Sequence, residues 1–222
     1  MHRPRAIAIV CLLSALGAAR AGRPLQAEDA DIMDPRACEL EGAHSHWREQ
    51  GAAQRQTSLQ LGCGIGGNSE VALQLIRPRE LALGGKTQFW RDGETRVTVA
   101  WNLAHRHVEA AWRRSGAGLV LVASAPLAGD WVLHANLGHQ RDELLHRRST
   151  IWALAAEHNG LGEGGRWQPM AELFGDDQGR PWANAALRVA LRQERLFVDV
   201  SMARRLGGVN ARLATAGFKL AF

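Results

Sequence analysis

Apolar and polar residues alternate with a period of two through most of this chain. The clearest case is the final stretch. Ala214, Ala216, Phe218, Leu220 and Phe222 share one face, and Thr215, Gly217, Lys219 and Ala221 share the other. Successive side chains of a strand point to opposite sides, so this pattern predicts a strand with one apolar face. The same alternation places Val97, Val99, Trp101 and Leu103 against Thr98, Ala100 and Asn102. It places Trp131, Leu133, Ala135 and Leu137 against His134 and Asn136, and Leu196, Val198, Val200 and Met202 against Asp199 and Ser201. In all, the pattern predicts about twelve strands, near 37–47, 57–65, 70–76, 81–89, 95–104, 118–125, 131–137, 150–157, 167–174, 183–189, 196–202 and 214–222.

Turn signals separate these runs. Gly66-Gly67-Asn68-Ser69, Asp92-Gly93, Pro126 to Asp130 and Gln193-Glu194 are short connections between alternating segments, while His158 to Arg166 is longer. An even strand count with both ends on one side puts these connections on the inner, periplasmic side of a membrane. The other connections carry clustered arginine, including Arg113, Arg114, Arg147, Arg148, Arg204 and Arg205, and are expected to be outward loops contacting lipopolysaccharide phosphates.

The apolar faces carry no charge at mid-strand, as a lipid-facing wall requires. The opposite faces supply the candidates for a lumen lining: Gln60, His134, Asn136, Glu157, Glu172, Arg188, Asp199 and Lys219. A soluble sandwich would show the same alternation, so pattern alone does not decide which side is wet. Two further features decide it. Residues 1–5 are basic, 6–18 are apolar, and Ala19-Arg20-Ala21 has the small-x-small form of a cleavage site. This predicts a signal peptide over 1–21 and a mature barrel domain over 22–222. The apolar run is too short for a good spanning helix, and Cys11 within it lacks a lipoprotein context. At the other end, Phe218, Leu220 and Phe222 have the form of the terminal signal read by barrel-assembly machinery.

The expected fold is therefore all-β: a closed antiparallel transmembrane β-barrel in the bacterial outer membrane. The length of 222 residues fits one domain. Net charge is +5, and of 27 basic residues only Lys86 and Lys219 are lysine. A basic balance otherwise points to nucleic acid, which export excludes. Cys38 and Cys63, on neighbouring predicted strands, are expected to form a disulfide in an oxidising compartment.

Candidate chemistry is sparse. His158-Asn159-Gly160 lacks a serine, and Ser149 follows His146 among arginines, so no nucleophile–base pair is identifiable. His44/His46 and His105/His107 each lack a third metal ligand. Gly62-Cys63-Gly64-Ile65-Gly66-Gly67 is followed by no helix, so close strand packing is the better reading than a phosphate loop. No catalytic residue, metal or cofactor is expected.

Residues 28–41 form an acidic stretch leading into the first strand. Together with Gly175-Asp176-Asp177, Arg180-Pro181-Trp182 and Gly217-Phe218-Lys219-Leu220-Ala221-Phe222, it resembles the proteobacterial outer-membrane barrels grouped as phenol meta-pathway-associated, transporter-like proteins. The resemblance implies a barrel of about twelve strands with a solute-transport role, and no catalytic residues. The chain departs from such barrels in having no tyrosine, while its eight tryptophans supply part of an interfacial girdle. Two functions stay open: a passive channel for small solutes, or a closed barrel with a structural or adaptor role. A lipid hydrolase is a remote third.

Overall fold

The computed structural model describes residues 24–222. The signal peptide predicted over 1–21, with Cys11, lies outside the described residues. Twelve strands form one closed barrel: β1 (Cys38–Glu49), β2 (Ala52–Gly66), β3 (Ser69–Arg77), β4 (Glu80–Asp92), β5 (Thr95–Val108), β6 (Ala111–Pro126), β7 (Trp131–Asp142), β8 (Arg147–His158), β9 (Trp167–Asp176), β10 (Trp182–Arg192), β11 (Leu196–Arg205) and β12 (Ala211–Ala221). Each strand pairs antiparallel with its neighbours in sequence, and β12 closes onto β1. All twelve predicted stretches are strands. One rim, called inner below, carries the connections after β2, β4, β6, β8 and β10. The outer rim carries the others.

The strands run further outward than the alternation predicted. Turns of two residues, Gln50-Gly51 and Glu109-Ala110, close the outer ends of β1–β2 and β5–β6. The six arginines expected in outward loops are therefore on strands: Arg113 and Arg114 on β6, Arg147 and Arg148 on β8, Arg204 and Arg205 on β11. Ladder hydrogen bonds form between backbone groups and are indifferent to side-chain charge. Pairing thus continues past the apolar belt into residues that read as loop.

The outer wall is apolar and exposed. Leu73 is 51% exposed, Leu137 60% and Val200 56%, while their strand neighbours Gln74, Asn136 and Asp199 are buried inside. A wall of this kind is suited to lipid and not to water. On β12, Phe218 faces outward directly opposite Gly42 of β1, and its ring covers that glycine so closely that a Cβ there would lie 2.2 Å from it. The aromatic thus covers backbone that a strand glycine leaves bare. Phe222 continues the ladder, exchanging backbone hydrogen bonds with Cys38 at 2.8 and 2.9 Å.

Cys38 and Cys63 are direct cross-strand partners at the inner rim and form a disulfide. Mass spectrometry of protein digested without reductant should recover the two peptides linked. Two freely alkylated thiols would refute the bond.

Candidate functional site

The inward faces of the strands are polar, and the predicted lumen residues Gln60, His134, Asn136, Glu157, Glu172, Arg188, Asp199 and Lys219 all stand on them. They do not line an open bore. Residues 24–34, ahead of β1, run inside the barrel from the wall of β9 and β10 to the inner rim beside β2.

The contacts of this segment follow one another around the lumen. Near its start, the side-chain amide of Asn184 donates to the carbonyl of Pro24 at 3.5 Å and to Glu172 at 2.7 Å. The Glu172 carboxylate accepts the backbone N–H groups of Gln26 at 2.8 Å and Ala27 at 2.9 Å. Glu28 exchanges two hydrogen bonds with the Asn136 amide, at 2.6 and 2.9 Å. The Ala30 N–H donates to Ser124 Oγ at 2.8 Å, and its carbonyl accepts from Thr98 at 2.8 Å and Gln88 at 3.2 Å. The Met33 N–H donates to Glu70 at 2.9 Å. An extended segment inside a barrel has no strand partner, so its backbone groups must be satisfied by side chains or water. Here the lumen side chains do it.

Charge reinforces the fit. Lys86 on β4 reaches Asp29 at 3.2 Å, Glu70 at 3.4 Å and Glu28 at 3.8 Å. Arg96 pairs with Asp31. Elsewhere the wall pairs with itself: Arg188 with Asp199 at 3.8 Å, and Lys219 with Glu39 and with Glu41. Ser124 Oγ and His134 Nδ1 are hydrogen-bonded at 2.8 Å, and His134 Nε2 lies 3.8 Å from Glu157. This Ser–His–Glu line resembles a hydrolytic constellation. Ser124 and His134 are both buried, however, and Ser124 Oγ receives the amide of Ala30, so the group serves as a clamp on the segment.

Leu25 anchors the far end of the segment. It packs into an apolar cluster inside the barrel with Phe174, Trp182, Ala203 and Ala211, and Trp47 and Leu213 pack against that cluster. Trp182 is central to it, 4.7 Å from Trp47 and stacked on Phe174 at 6.1 Å, with the Arg205 guanidinium above its ring at 5.0 Å. At the inner rim the segment leaves over Gly64, where a Cβ would lie 2.2 Å from the Asp34 carbonyl oxygen, and passes Gly62 with the Met33 side chain. Gly62 and Gly64 make room for the segment, which the strand-packing reading did not foresee.

What remains of the lumen is divided. A vestibule of about 310 Å³ opens at the outer rim, lined by Trp47, Gln54, Gln56, Ile76, Arg106 and Leu213 among others. Its inner wall includes Gln26 of the segment. Trp47 Nε1 is buried there without a hydrogen-bond partner among the described residues. Beside the segment lies a smaller cavity of about 80 Å³, bounded by Glu28, Gln60, Gln74, Lys86 and Asn102.

The six arginines differ in setting. Arg205 pairs with Glu49 inside the barrel, and Arg147 faces Asp176 at 3.9 Å. Arg113, Arg114, Arg148 and Arg204 are exposed, with Arg113 3.8 Å from Glu109 and Arg114 3.8 Å from Glu143. Among the described residues no histidine, cysteine or carboxylate cluster could hold a metal. His44 instead meets Thr57 at 2.9 Å.

The architecture is that of outer-membrane porins. The KdgM porin in complex with disordered oligogalacturonate superposes with a TM-score of 0.64 at 8% identity, over 83% of this chain and 99% of that chain. The NanC porin matches with a TM-score of 0.61 at 8% identity, over 82% and 98%. An outer-membrane channel from Pseudomonas putida F1 matches with 0.60 at 8% identity, over 87% and 98%. No family model matches the chain, and no curated protein matches its sequence. At such identity the likeness carries the fold and nothing about a solute.

Proposed function

We propose that this protein is an outer-membrane channel for small solutes, closed at rest by its own residues 24–34. The observation that carries this reading is the character of the filling. Barrels of eight strands are filled by their own side chains, and barrels of sixteen or more leave a water channel. This one has twelve strands and is filled by a separate stretch of backbone, held by hydrogen bonds and ion pairs to a polar wall. A wall that is polar when the segment is in place stays compatible with water when it is not. The porin architecture supports the same reading, and so does the resemblance of residues 28–41, 175–182 and 217–222 to the phenol meta-pathway-associated type, which we propose as its group.

A second reading, a closed structural or adaptor barrel, is favoured by the wall ion pairs Arg188–Asp199 and Lys219–Glu39. Planar-bilayer recording separates the two. The full chain should give discrete but rare conductance steps. Absence of steps from both the full chain and a chain lacking residues 24–34 would leave the closed barrel.

The inner rim is proposed to face the periplasm, with Phe218, Leu220 and Phe222 forming the outward column that assembly machinery reads. An epitope inserted at Asn68 should then be unreachable by antibody on intact cells and reachable after permeabilisation. Labelling of intact cells would reverse the orientation.

A further inference from the structure

We infer that Arg48, Arg204 and Arg212 form a binding row for the phosphates of an outer-leaflet lipid. Arg212 of β12 stands directly opposite Arg48 of β1 on one side and Arg204 of β11 on the other. Three neighbouring strands place the three residues within about 10 Å. All three are exposed, and the alternation puts them on the outward face, in line with Ala214, Ala216, Phe218 and Leu220 of β12 and with Val198, Val200 and Met202 of β11. None forms an ion pair among the described residues. Arg205, one residue along and facing inward, is paired with Glu49.

Like charges directly opposite across strands repel, and this row places one arginine between two others. An anion between them converts that repulsion into binding. Arginine meets phosphate with a bidentate fork and keeps its charge. Height along the barrel selects a lipid as the source of phosphate. Ten residues of tilted strand separate Arg212 from Phe222, a rise of about 26 Å, close to the height of a barrel's apolar band. The row therefore tops an apolar wall, with acyl chains below and headgroup phosphates level with the guanidinium groups. The inference rests on the orientation proposed above and is independent of conduction.

The test uses protein refolded from denaturant in detergent, free of lipopolysaccharide, with thermal unfolding followed by the gel mobility of the folded barrel. Diphosphoryl lipid A should raise the midpoint of the wild type by about 5 °C. R48Q/R204Q/R212Q should lose most of that shift, and R192Q/R195Q, exposed arginines at the inner rim, should keep it. If the triple variant does not refold, R212Q alone, the centre of the row, is read the same way and should lose at least half. A full shift in the row variant, or no shift in the wild type, overturns the inference. So does an equal shift from inorganic phosphate at matched concentration, which would mark an anion site without lipid. A barrel that binds lipid A and never conducts would keep this site and lose the channel.

Discussion

Removing residues 24–34, with the rest of the chain kept, is expected to turn a barrel that conducts rarely into one that conducts steadily. The geometry sets the size of the effect. Twelve strands about 4.8 Å apart, tilted by about 40°, enclose a cylinder roughly 24 Å across between backbones. Inward side chains take about 5 Å from each side, which leaves about 14 Å. One extended chain with its own side chains occupies about 10 Å of that. The segment therefore decides whether ions pass. Its loss should leave the barrel folded, because every strand keeps both ladder neighbours. The groups it uncovers, such as Glu172, Asn136 and Ser124, are polar and exchange its backbone for water. Unitary current and open probability in planar bilayers measure the outcome, with heat-modifiable gel mobility confirming the fold. Equal current from both proteins would show that the lumen is closed by something other than residues 24–34.

The strands and the segment differ in how far sequence exposes them. Strand existence was legible because a lipid-facing wall demands an unbroken apolar column, as in Val97, Val99, Trp101 and Leu103 of β5. Strand ends were not, because Arg106 and Arg113 pair across β5 and β6 like any other residues while reading as loop. The lumen lining was legible as a set of polar positions, but not what fills it. The segment docks largely through backbone N–H and C=O groups, which every sequence has, and its partners Glu172, Asn136 and Ser124 lie 145, 108 and 94 residues away in sequence. Two clues were present. Residues 24–34 show no alternation, unlike the barrel strands. The chain's two lysines also both end among the carboxylates at the start of the domain, Lys86 with Glu28 and Asp29 and Lys219 with Glu39 and Glu41.

Lys86→Met should release the segment without removing it. The Lys86 ammonium sits among Asp29, Glu70 and Glu28, and its side chain is 12% exposed. Breaking a buried ion pair by deleting one partner costs about 3–5 kcal/mol, because the remaining charge is left uncompensated. The 80 Å³ cavity beside Lys86 admits water to the cluster, which reduces the cost to about 2–3 kcal/mol. Glu70 is fixed on β3, whereas Glu28 and Asp29 can escape the repulsion by leaving the lumen. The penalty therefore falls on the closed state. A change of about 2–3 kcal/mol multiplies the ratio of open to closed by about 30 to 150. Opening of the wild type should change little with ionic strength, since salt screens a cluster this buried far less than a surface pair. A compensating change supplies the decisive control. Glu28→Gln and Asp29→Asn, added to Lys86→Met, remove the repulsion and should return the open probability most of the way to the wild-type value. Open probability unchanged in Lys86→Met, or raised further by the two compensating changes, would mean that the ion cluster does not hold the segment in place.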